Sequence, residues 1–267
     1  MNKVLSQLCA EFEKMEQTIA FQQKVIASTA QVPVCPCGRI NAAMPVMPKL
    51  KLDDCSWAEI AMYAQSGMAD RVFALGDTKK ITLNDGTTIG VRIIGFNHDN
   101  SDTGDLLPIT FESVETLNDD FCMNETSTNK GGWEKSYLRS MLNGSFLNSM
   151  LPEDLRAVIK PCVKLTRTSG AENAPLGKTV DRVFVLSEQE VFGRKVFSGG
   201  AEGHWYDWYR EENTPYGKCK QNGERDWRWE RSPRSGSTSN FCAVGSNGGA
   251  TSDGASGSYG VSFGFCV

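Results

Sequence analysis

The chain has 267 residues, 40% hydrophobic and 22% charged, with a net charge of -4. That length suits one sizeable domain or two small ones, and the composition is that of a globular protein. The acidic balance argues against a nucleic-acid partner, and no apolar run reaches the roughly 18–20 residues of a membrane span. The acids within MNKVLSQLCAEFEKMEQ stand where a signal peptide has its apolar core, so synthesis in the cytoplasm without a secretion signal is expected.

Met1, Leu5, Leu8, Phe12, Met15, Ile19, Gln22 and Ile26 recur at alternating steps of four and three. This is a coiled-coil seam over 1–28, with Glu11, Glu13, Lys14, Glu16 and Gln17 on the wet side. It predicts a homo-oligomer, a trimer before a dimer. A single amphipathic helix folded onto its own domain is the alternative. Residues 29–50 are rich in Pro and read as a linker. A helix over 54–69 is predicted, capped by Asp54, with Trp57, Ile60, Ala61 and Ala64 on one face. Segments 80–83 and 88–96 predict a hairpin about Asn84-Asp85-Gly86. Residues 98–105 read as a loop, 109–111 as a short strand and 133–150 as a helix. Pro152 opens another helix, through Leu155, Val158 and Ile159. Residues 183–186 read as a buried strand and 187–192 as a capped helical turn. Helices and antiparallel strands without βαβ alternation predict an α+β fold.

Little here points to catalysis. The nine Cys include no paired CxxC, so reduced, mostly buried thiols are expected rather than a zinc site or a disulfide framework. Cys35-Pro36-Cys37 is a weak metal signal on its own. His98 and His204 lack ligand-spaced partners and read as structural or solvated. No GxSxG, HExxH or phosphate-binding loop is present. Asp53-Asp54, Asp119-Asp120 and Glu211-Glu212 read as solvated surface or helix caps. The aromatic cluster 204–209, with Trp227 and Trp229, reads as packing for irregular segments, with a binding platform as the alternative.

The tail, 227–267, is the most informative stretch. Trp229, Phe241, Cys242, Val244, Val261, Phe263, Phe265 and Val267 stand as apolar anchors among small polar residues. Such spacing predicts a folded scaffold displaying a tolerant surface.

Ser56-Trp57-Ala58-Glu59-Ile60, residues 73–83, Ile93-Ile94-Gly95-Phe96-Asn97-His98-Asp99, Gly131-Gly132-Trp133-Glu134-Lys135-Ser136, 151–160 and 186–193 resemble a domain of unassigned function common in gut Firmicutes and their phages. The closing segment, from Trp229-Glu230-Arg231-Ser232-Pro233 to Val267, is also similar to the variable region of target proteins of diversity-generating retroelements. The resemblance covers roughly 51–267. It implies a C-type lectin-like (formylglycine-generating-enzyme-like) ligand-binding domain behind the coiled-coil helix. Those elements alter template adenines, so Asn codons give rise to many residues. Arg228, Arg234, Ser237, Ser239, Ala243, Gly245, Gly249, Thr251, Ser252, Asp253, Ser258 and Tyr259 are reachable from an Asn codon in this way. Asn240 and Asn247 fit unchanged positions, and Glu230 fits scaffold. These fourteen positions are the expected ligand-binding residues, and Arg228, Arg234, Ser237, Ser239, Gly245, Gly249, Thr251, Asp253, Ser258 and Tyr259 are expected to converge on one exposed face. The implied partner is a protein or glycan receptor on a cell surface, in a phage tail or bacterial surface protein. Neither catalysis nor a metal or cofactor is expected. The alternatives are an enzyme resembling the formylglycine-generating enzymes, which bind copper through paired Cys, and a structural virion or cell-surface module. Cys242 and Cys266, the tail's Cys, sit among anchors, which favours burial.

Overall fold

The computed structural model describes residues 49–212 and 214–267. The expected coiled coil over 1–28 and the linker to residue 48 lie outside the described residues.

The first helix, Trp57–Gln65, starts where Ser56 and Glu59 cap each other's backbone reciprocally. The cap is therefore Ser56, not Asp54; Asp54 belongs to a preceding short 3-10 turn, Leu52–Asp54. Strands β1 (Thr78–Thr82) and β2 (Thr88–Asn100) form the predicted hairpin, and Gly86 takes a positive φ of 90° at its tip. β2 runs through His98 to Asn100, which removes the front of the loop expected over 98–105. It continues antiparallel into β3 (Leu106–Ser113). A two-residue strand, β4 (Phe121–Cys122), follows.

The helix expected over 133–150 is broken into a 3-10 turn (Trp133–Lys135), an α-helix (Tyr137–Met141) and a π-helical stretch (Leu142–Met150). Pro152 then caps the helix Glu153–Val158. Next comes a hairpin of β5 (Cys162–Arg167) and β6 (Leu176–Asp181). Residues 183–186 are buried as expected, but only Phe184 forms a bridge, to Gly264, so the segment is not a strand. Ser187 caps the helix Glu188–Phe192, and Gly193 ends it in the left-handed conformation.

A short helix (Asp207–Arg210) precedes the small pair β7 (Lys218–Cys219) and β8 (Arg225–Asp226). The tail then builds a three-stranded antiparallel sheet. Its members are β9 (Arg228–Pro233), β10 (Asn240–Val244) and β11 (Ala250–Gly254), with β10 in the centre. β12 (Ser258–Tyr259) pairs with β4, and β13 (Gly264–Cys266) returns to pair with β3 in the main sheet, ordered β1-β2-β3-β13. The fold is α+β. The core joins both sequence ends of residues 50–267: Trp57 sits edge-on to Phe111 and Phe265, with centroids at 5.5 and 5.8 Å. The anchors Trp229, Phe241, Val261, Phe263 and Phe265 are fully buried. Among the described residues no helix is long and apolar enough to cross a membrane.

Candidate functional site

Every residue of β9 is buried, and of β10 all but Asn240, because that strand is flanked on both sides and carries Phe241, Cys242, Ala243 and Val244. β9 and β11 are the two edges, and of these β11 is the open one, with all five of its residues half-exposed. The candidate positions therefore divide by strand rather than by composition.

Three of them are corrected by the structure. Arg228 is buried at 1% exposure, with Nη1 3.3 Å from Glu112 Oε1 and Nη2 donating to the Tyr209 hydroxyl at 3.0 Å. Ala243 is buried at the centre of β10, opposite Trp229. Gly245 is buried at the start of the β10–β11 turn. These three belong to the scaffold: an interior charge partner claims Arg228, the central strand claims Ala243, and Gly245 is buried where that strand turns.

The remaining positions line the hairpin and its approaches. Arg234 donates to the Ser252 hydroxyl at 3.0 Å and lies over the Phe197 ring at 5.4 Å. Ser237, Ser239 and Asn240 form a self-bonded turn: both hydroxyls donate to Asn240 Oδ1, at 3.2 and 2.8 Å. Asn247 and Gly249 are exposed at the hairpin tip, where Asn247 Oδ1 accepts the Gly249 N–H at 2.9 Å. Tyr259 stacks on Trp227 at 5.2 Å, and its hydroxyl donates to Asp253. That hydrogen bond, with burial second, pushes the Tyr259 phenol up to about 12. Ser258 is exposed beside it, and Thr251 shares the strand face of Asp253.

Strand alternation separates these residues. Ser252 turns toward Arg234, whereas Asp253 turns toward Tyr259 and Trp227. The expectation of a single face is thus corrected to two half-exposed sides of one edge strand.

The support beneath was not legible in the sequence. Asn129 is 1% exposed; its Nδ2 donates to the carbonyls of Ser237 at 2.8 Å and Asn240 at 3.0 Å, and its Oδ1 accepts the Gly170 N–H at 3.2 Å. A Cβ on Gly170 would lie 2.2 Å from the Arg234 carbonyl, so only glycine lets this turn approach. A lone Asn in a polar stretch gives no pattern from which to infer that role.

Two buried ionic networks fix the body behind the site. In one, Lys218 reaches Glu112 at 3.0 Å, and Glu112 also receives Arg228 and the Tyr209 hydroxyl. In the other, Lys164 lies 2.6 Å from Asp99, which also accepts from the hydroxyls of Thr110 and Tyr206, both at 2.7 Å. Burial alone would raise the Asp99 carboxyl, but the Lys164 ammonium and these hydrogen bonds hold it below the usual carboxylate range. Burial acts on Glu112 in the same sense and is overridden by Lys218 and Arg228. Both folded values lie below unfolded ones of about 4, so the stabilisation is present above about pH 4 and is lost as pH falls through the folded values. Urea melts should therefore show stability declining from about pH 5 toward pH 2. A flat profile over that window would rule out this charge assignment.

Most of the aromatic cluster is packing: Tyr206, Tyr209 and Trp229 are buried, and Trp205 donates to the Val191 carbonyl at 2.9 Å. Trp227 is the half-exposed member that reaches the site. His98 stacks on Tyr206 at 3.9 Å and, with His204, lines a cavity of 300 Å³ that has no Ser or Cys in its wall. Burial lowers the His98 pKa against the opposing pull of Asp99. Cys242 and Cys266 fall into separate buried groups. Cys266 joins Cys162 and Asp99; Cys242 joins Glu188 and Glu230.

Residues 112–267, more than half of the chain, match the family model described as a domain of unknown function (DUF6273). No curated protein matches the chain. No solved structure matches it.

Proposed function

We propose that this chain, which belongs to the DUF6273 family, is a non-enzymatic ligand-binding protein that recognises its partner with the edge of the tail sheet. The observation that carries the reading is the contrast between adjacent strands: β10 is buried from Phe241 to Val244, while its neighbour β11 is half-exposed throughout. A rigid strand bearing a tolerant one is the physical requirement for a displayed surface. The resemblance of the tail to retroelement variable regions supports a C-type lectin-like scaffold and a protein or glycan receptor on a cell surface, in the setting of a phage or prophage receptor-binding protein. The surface wraps an edge, with Arg234 and Ser252 on one side and Asp253, Tyr259 and Trp227 on the other.

Arg and Tyr are frequent hot-spot residues, whereas Ser and Thr seldom are. Micromolar affinity per domain is expected, about -8 kcal/mol. The test uses the labelled full chain on a glycan array and on a panel of bacterial cells. Arg234→Ala with Tyr259→Ala should weaken binding at least about tenfold, a loss of about 1.4 kcal/mol, while the circular dichroism spectrum is retained. The single replacements then show which side of the edge contributes more. Undiminished binding by the double variant would sink the proposal.

A further inference from the structure

Glu230 is the least accommodated side chain of the tail sheet. It is 0% exposed, and neither carboxylate oxygen has a hydrogen-bond partner. The two arginines beside it in β9 bond to other carboxylates, Arg228 to Glu112 and Arg231 to Glu190 at 2.7 Å, and the Arg228 Nε that stays unpartnered does not bond to Glu230. An isolated buried carboxylate costs several kcal/mol if ionised, so such groups are neutralised or paired. A proton would neutralise Glu230 yet leave its carbonyl oxygen without a donor. A cation would engage its oxygens directly.

Two other donors converge on the same place. Ligand atoms of Glu188, Glu230 and Cys242 all lie within 4.8 Å of one another, and all three residues are buried. Glu188 is already fixed: Oε2 accepts the N–H groups of Val196 at 2.7 Å and Ser198 at 2.8 Å, and Oε1 accepts that of Phe197 at 2.7 Å. Oε1 keeps a lone pair. The Glu202 carboxylate lies in the same interior region, and its Oε2 also has no partner. The register agrees, since Cys242 stands opposite Ser252 and so faces the Arg234 side of the sheet. The other buried group, Asp99 with Cys162 and Cys266, makes a useful contrast. There the Lys164 ammonium already supplies the positive charge, 2.6 Å from Asp99. Among the described residues no ammonium or guanidinium bonds to Glu230.

We propose that Glu188, Glu230 and Cys242 form a structural site for a zinc-type divalent cation beneath the display strand. A thiolate among carboxylates selects a borderline-soft ion over calcium or magnesium, which take oxygen donors alone. Zinc bonds of about 2.3 Å to sulfur and about 2.0–2.2 Å to oxygen set tetrahedral ligands roughly 3.5 Å apart, so small side-chain rotations close the site. A bound water would fill the fourth position. The ion would tie the segment Val196–Ser198, through Glu188, to β9 and β10. Ser198 bridges Arg234, so the cation would brace one side of the proposed binding edge. The site stands whether or not that edge binds a receptor.

The full chain would be produced in zinc-supplemented medium, purified without chelator and analysed for metal by mass spectrometry. It would also be refolded from denaturant with cobalt(II), whose spectrum reports thiolate ligation. Expected are near-stoichiometric zinc, a thiolate-to-cobalt charge-transfer band, and a melting temperature lowered by chelation. Glu230→Gln removes the charge at nearly constant shape and is expected to fold without metal, which its circular dichroism spectrum checks, so it separates lost binding from lost folding. It and Cys242→Ser should weaken zinc at least about tenfold, and Cys242→Ser should also abolish the band. Metal-free protein from both routes, bound calcium in place of zinc, or equal zinc in wild type and both variants would each overturn the site.

Discussion

Arg228→Ala is expected to destabilise the protein by about 3–5 kcal/mol, the usual consequence of removing one partner from a buried ion pair. Its guanidinium touches Glu112, the Tyr209 hydroxyl and, at 3.3 Å, the Tyr216 carbonyl. Truncation would leave Glu112, 1% exposed, with Lys218 as its remaining cation, and would open a void among stacked tyrosines. By contrast, Arg234→Ala removes a half-exposed side chain and a surface cation–π contact, which is worth about 0.5–1 kcal/mol. Urea denaturation of the two variants makes the comparison. If Arg228→Ala kept wild-type stability, its place in the scaffold would be wrong and a surface role would return.

Phe263→Ala should cost a similar amount, about 3–5 kcal/mol. The ring is 0% exposed, 4.9 Å from Phe146 and 6.4 Å from Phe265, and the Phe263 carbonyl accepts the Ser113 N–H at 2.8 Å. It therefore joins the tail to the main sheet and to the π-helical stretch. Ser258→Tyr, at an exposed position, should shift stability by less than about 0.5 kcal/mol. Thermal melts that fell equally for both would refute the division into anchors and displayed residues.

Local chemistry was the readable part of this chain. Ser187 with Glu190 forms the capping box expected over 187–192, and Asn84-Asp85-Gly86 turns a hairpin, whereas the equally local box of Ser56 with Glu59 displaces Asp54, the expected cap. Apolar anchors declare themselves by size. Long-range polar pairing was hidden. Arg228 meets a carboxylate 116 residues away, so its charge read as surface. β5 was hidden because its pattern is inverted: Cys162, Lys164 and Thr166 face inward while Val163 and Leu165 are half-exposed. Lys164 can face inward only because Asp99 is there to meet it. The candidate surface keeps eleven of its fourteen positions on half-exposed or exposed residues. Its division into two sides follows from the pairing of β11 with β10, which composition does not encode.

That pairing limits how recognition on this surface can vary. β11 is held to β10 through five aligned residue pairs, from Asn240 with Gly254 to Val244 with Ala250. A strand in fixed register accepts a new side chain at any exposed position, but one inserted residue would exchange its two faces along the rest of its length. Asp253 would then turn from Tyr259 toward Arg234, setting its carboxylate against the guanidinium. Recognition built here, as proposed, would explore residue identity at constant length. Binding loops that hang free of a sheet tolerate insertions as well. On the proposed reading, the backbone contour that a partner meets would be the same for every version of the surface, and only its chemistry would change.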